Sequence, residues 1–231
     1  MNETNPTPQQ PPKRRNTYVS NPQALLNYDS IFTNVATQPL IQSELAEYGY
    51  DTAKIAEGKT LADAARKAFE TNRREDAETT AARRVFDNEA GMMLATYAIH
   101  RKAAKVAFRH QPEVIKQLGI TGRDPDAFAA RLEEAENFYR TIAFTPAIAT
   151  VLTQFKITPA TITQAQKQIT DTRQARAEYL REKGESQDAT KQKDAAFRAI
   201  ETWLSDFFAV ARIALEDNPQ LLEALTKIVR S

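Results

Sequence analysis

Cysteine is absent from the 231 residues. Disulfides, thiolate metal sites and a cysteine nucleophile are therefore excluded. Glycine is scarce, at six residues, and scattered, so no clustered-glycine phosphate cradle and no Gly-x-Ser-x-Gly elbow is present. Histidine occurs twice, as His100 and His110. Neither has a glutamate three residues before it, the spacing that di-iron bundles use. No apolar run approaches the roughly 20 residues that cross a bilayer, and no apolar stretch follows the N-terminal basic residues as in a secretory leader. An excess of one charge is missing too. A net charge of +1 gives no global field to attract nucleic acid, anionic lipid or an acidic substrate. The expectation is a non-enzymatic, cytoplasmic protein with no catalytic residues, no metal ligands, no cofactor, no nucleic-acid partner and no membrane partner.

What is present points to helices. Hydrophobic residues make up 42% and charged residues 26%, ordinary for a globular chain, and Ala, Glu, Gln, Lys, Arg and Leu dominate. Seven of the eleven prolines follow a polar residue and open an apolar periodic stretch: Pro22, Pro39, Pro112, Pro125, Pro146, Pro159 and Pro219. Proline suits the first helical position, where its missing N–H would have no partner. Asn, Asp and Thr before it suit the cap.

The chain also repeats itself. Residues 18–124, moved along by 107, fall on 125–231 without a gap. Pro39 meets Pro146, Leu45 meets Leu152, Arg66 meets Arg173, Ala104 meets Ala211 and Pro112 meets Pro219. The expected fold is all-α, an internally duplicated helical bundle. Two copies of a helical hairpin unit, 18–124 and 125–231, pack as one bundle about a pseudo-twofold axis. Helices are expected at 22–36, 39–48, 52–73, 78–109 and 112–118, and at 125–143, 146–155, 159–182, 187–216 and 219–229. A hairpin turn is expected near 74–78 and near 183–187, where Gly184 and Ser186 sit. Asp51 is expected to cap the third helix in the place of Thr158. On the long helix the core stripe is Ala90, Met93, Tyr97, His100, Ala104 and Phe108 in the first copy. In the second it is Phe197, Ile200, Leu204, Phe207, Ala211 and Leu215.

Three features bear on function. Trp203 and Phe208 stand where the first copy has Thr96 and Arg101, so Trp203, Phe207, Val210 and Ala214 form a second apolar line. That line either meets a partner or fills space between the copies. Residues 1–17 form a proline-rich arm for which disorder is expected. Pro8, Pro11, Pro12 and Lys13 fit a PxxPx+ pattern, and Lys13, Arg14 and Arg15 are too few for nucleic acid but suit an arm docking on a neighbouring subunit. Arg74-Glu75-x-x-Glu78 recurs as Arg181-Glu182-x-x-Glu185, a pattern that ordinary intrahelical pairing explains.

Leu45-x-x-Tyr48-Gly49-Tyr50 with Gly58, Ala107-Phe108-Arg109-x-x-Pro112-Glu113-Val114, and Trp203-Leu204-Ser205-Asp206-Phe207 leading to Ala211-Arg212-Ile213-Ala214-Leu215 resemble an uncharacterised bacterial family of duplicated all-helical proteins. The resemblance implies the fold and carries no activity. The functional expectation is a structural or scaffolding protein that self-associates through helical surfaces into a filament or ring. The alternatives are an adaptor that binds another protein through a groove around Trp203, and a helical bundle that binds a small molecule or a metal.

Overall fold

The computed structural model describes residues 19–226. The described residues form eight helices and no strand. They are α1 (Asn21–Thr37), α2 (Pro39–Glu47), α3 (Thr52–Ala107), α4 (Pro112–Gln117), α5 (Phe128–Phe144), α6 (Pro146–Thr153), α7 (Pro159–Ala214) and α8 (Pro219–Thr226). No helix among the described residues is long and apolar enough to cross a membrane.

Proline opens or nearly opens six of the eight helices, as expected. Pro125 does not. The chain from 121 to 127 is irregular and α5 begins at Phe128, because Arg131 donates to the Pro125 carbonyl and pairs with Asp124. The side-chain caps are fewer than the sequence suggests. Asp51 Oδ1 accepts from the Lys54 N–H at 2.9 Å and Thr158 Oγ1 from the Thr161 N–H at 3.3 Å, so the two longest helices carry caps at matching positions.

The expected hairpin turns are not formed. α3 and α7 each run through the polar stretch as one helix of 56 residues, about 84 Å at 1.5 Å per residue. No proline interrupts either helix, and the lone Gly184 costs only about 1 kcal/mol against alanine. Side chains hold the stretch together instead. Asn72 Nδ2 donates to Thr190 Oγ1 at 3.2 Å, Thr79 Oγ1 to the Glu182 carbonyl at 3.0 Å, and Ser186 Oγ to Asp76 Oδ1 at 2.7 Å.

The helices form two compact units. The described residues up to Phe69 and from Lys193 onward form the first, and Glu70–Gln192 the second. Each unit draws on both halves of the sequence. The first has a core of Tyr28, Ile31, Val35, Ile41 and Leu45 from α1 and α2 against Ala65 of α3 and Ile200, Phe207 and Ala211 of α7. The second packs Phe138, Tyr139 and Ile142 of α5 and Leu152 of α6 against Met93, Tyr97 and Ala104 of α3 and Ala165 of α7. The two expected core stripes are buried, His100 partly.

One position is strained. After α2, Gly49 takes φ 86°, the left-handed residue that lets Tyr50 N–H reach the Leu45 carbonyl. After α6, Lys156 occupies the same place at φ 63°, with Ile157 N–H reaching Leu152. A side chain there costs about 1–2 kcal/mol. Lys156→Gly is expected to stabilise the protein by about 1 kcal/mol, the relieved strain less glycine's extra unfolded-state entropy. A urea midpoint that stays put or falls would count against this.

Candidate interaction surface

The aromatic line on α7 is interior. Trp203 is 6% exposed and Phe207 fully buried. Trp203 stacks on Phe207 at 5.3 Å between centroids and meets Phe32 and Tyr50, each at 5.6 Å. Phe208 and Val210 are half-buried against the same core. The reason is local to α3: Gly58 leaves a gap, and a Cβ there would lie 2.4 Å from Trp203 Cη2. The indole fills that gap. The expected contacts Pro8, Pro11, Pro12, Lys13, Arg14 and Arg15 lie outside the described residues.

The polar centres are structural in geometry. In the second unit Arg101 Nε donates to Glu134 Oε1 at 2.6 Å, and Tyr97 OH donates to the same oxygen. Arg101 is 8% exposed. Burial, followed by the Glu134 carboxylate, pushes the Tyr97 phenol well above its usual range. His100 Nδ1 lies 2.8 Å from Tyr139 OH. Burial holds the imidazole below its usual pKa and raises the Tyr139 phenol, since a low-dielectric site disfavours the charged form of each. The second histidine, His110, lies apart from them, exposed beside Arg109.

One carboxylate oxygen each from Glu75, Glu182 and Glu185 lies within 4.8 Å of the others. These are the residues that could hold a cation. Each is already paired with arginine: Glu75 with Arg74 at 3.0 Å, Glu185 with Arg181 at 2.5 Å, and Glu182 with Arg181 as well. Glu182 is buried, and desolvation raises its carboxyl despite Arg181. The cluster does what an ion-pair network at the middle of two long helices does.

The exposed apolar residues lie elsewhere. On α3 Val85, Met92, Ile99 and Val106 recur every seven residues, 54%, 44%, 68% and 53% exposed. They span about 32 Å at 1.5 Å per residue. Asn88, Gly91, Ala95 and Ala98 are exposed between them. From Val85 to Ile99 the positions on this line are uncharged, with the half-buried Glu89 flanking it, whereas a solvated helix face is normally charged. At its C-terminal end it opens into a largely apolar groove of about 370 Å³ lined by Ala98, Ile99, Lys102, Ala103, Val106 and Phe155. Beside that groove a second one is lined by Arg101, Lys102, Lys105 and Arg109 together with Asp124. The heptad spacing was present in the sequence, but the core stripe one position along the helix hid it. Met92 and Ile99 each directly precede a residue of that stripe, Met93 and His100, so the ladder reads as its widened edge.

No family model, no curated protein and no solved structure matches the chain. The comparisons therefore do not bear on the resemblance drawn from the sequence.

Proposed function

We propose that this chain is a non-enzymatic structural protein of the cytoplasm that self-associates through helical faces, with its N-terminal arm adding contacts to a neighbouring subunit. The observation that carries the reading is the exposed apolar ladder on α3, repeating every seven residues. A partner helix wound with it in a left-handed supercoil can follow a period of seven, and side chains half exposed in one molecule are available to be covered by the next. The pairing of Arg101 with Glu134 and Tyr97 and of His100 with Tyr139 supports the reading, since these groups bond to one another. An adaptor reading would have to use the same α3 face, since Trp203 is inside.

We also propose that the chain is one helical unit doubled. The element bounds support it: α1 and α5 are each 17 residues and α3 and α7 each 56, all starting 107 residues apart. So do the ion pairs Arg66–Asp29 and Arg173–Glu136, which fall on one another at the same shift.

Sedimentation velocity over a concentration series tests self-association. The wild type is expected to show species larger than the 25.9 kDa chain. Ile99→Asp is expected to weaken assembly by on the order of 30-fold or more, the effect of losing a central interface anchor worth at least 2 kcal/mol, with helix content unchanged. A wild type that stays monomeric at every concentration rejects the proposal.

A further inference from the structure

We infer that the partner of the α3 face is the exposed face of the C-terminal half of α7 on a second copy, so that molecules join head to tail. This rests on the self-association reading and names the surface it uses.

At the shift of 107, the positions of Val85, Asn88, Met92, Ala95, Ile99, Lys102, Val106 and Arg109 become Gln192, Ala195, Ala199, Thr202, Asp206, Ala209, Ile213 and Glu216. Both sets are exposed. They are opposite in shape: one face carries Met92 and Ile99 as knobs, while the other presents Ala195, Ala199, Thr202 and Ala209 as small residues between which knobs fit.

They are opposite in charge as well. The α3 face bears Lys102 and Arg109 toward its C-terminal end, with the half-buried Glu89 near Val85 and Met92 as the carboxylate closest to its line. The α7 face bears Asp206 and Glu216 on its line, with Asp217 exposed beside it and Lys191 exposed near its start. The asymmetry extends to whole units. The described residues of the first unit hold twelve acidic and seven basic side chains, while Glu70–Gln192 holds nineteen basic and seventeen acidic. Pairing α3 with α3 would set large residues on large ones and cations beside cations. Pairing α3 with α7 sets knobs on holes and cations beside carboxylates, the complementarity that selects one partner over another. A contact between two different faces leaves one of each free at the ends, so it propagates or closes into a ring.

Complementation of two blocked variants tests the pairing. Ile99→Asp removes the α3 face and leaves the α7 face intact. Ala199→Arg, at an exposed helical position, fills a hole with a cation and leaves α3 intact. Each alone is expected to lose assembly by on the order of 30-fold or more. An equimolar mixture is expected to form a 1:1 complex that grows no further, with affinity close to that of the wild-type contact. Assembly of Ala199→Arg alone at wild-type strength, or a mixture that stays monomeric, overturns the pairing. If the wild type assembles while either result is seen, self-association stands and only this inference falls. If the wild type is monomeric, both fall.

Discussion

Trp203→Ala is expected to destabilise the first unit by about 3–5 kcal/mol, the range for deleting a buried aromatic side chain. The melting transition is expected to drop by at least about 12 °C, at 4 °C or more per kcal/mol for a unit of this size. The indole touches Phe32, Tyr50 and Phe207 and closes over Gly58, so its loss opens a cavity bordered by α1, α3 and α7. A surface anchor would behave otherwise, since its truncation would leave the melt unchanged and weaken only a complex. Trp203→Phe is expected to cost far less than Trp203→Ala. It keeps ring contacts with Phe207 and removes an indole N–H that has no hydrogen-bond partner among the described residues, a group that is costly to bury unpaired.

Gly58→Ala examines the same packing from the opposite wall. In most exposed helices this change gains up to about 1 kcal/mol. Here the new methyl would sit 2.4 Å from the indole, and overpacking of this kind typically costs about 1–3 kcal/mol. A net loss is expected, with a shifted emission spectrum from Trp203, the protein's one tryptophan. A stabilised Gly58→Ala with unchanged fluorescence would show that the wall gives way and would remove half of the argument for a shaped site.

Local signals carried much of the fold. Proline after a polar residue marked most helix starts because its fixed φ and missing N–H act within one turn. The stripes Met93, Tyr97, Ala104 and Phe197, Ile200, Leu204 were legible because burial imposes the helical period. The polar stretch misled because its cause is not local. Asn72, Thr79 and Ser186 read as solvated, yet each bonds to a residue more than 100 positions away. Trp203 misled for a related reason. An apolar excess on one helix looks like a free face until Gly58, on another helix, shows where the ring goes. The α3 ladder is the reverse case, since a period of seven beside a buried stripe is indistinguishable from a wider core.

Arg101→Met is expected to cost the second unit about 3–5 kcal/mol, the usual result of removing one member of a buried ion pair. Glu134 would keep its charge with Tyr97 OH as remaining donor, in a place where its side chain is only 12% exposed. Glu134→Gln is expected to destabilise comparably, because the buried Arg101 would keep only neutral acceptors, the new amide oxygen and the Gly122 carbonyl at 3.4 Å, and no carboxylate. The triple change Tyr97→Phe, Arg101→Met and Glu134→Met removes donor, cation and acceptor together. It is expected to cost less than Arg101→Met alone, because well-packed apolar residues commonly match or exceed a buried ion pair in stability. The first unit supports this: the positions of Tyr97 and Arg101 are filled by Leu204 and Phe208 in the second half of the chain, and these pack in an apolar core. Urea midpoints for the single and triple variants measure the coupling. A triple variant less stable than Arg101→Met would mean that the network supplies stability beyond charge balance, and that the ion pair is held for its own strength.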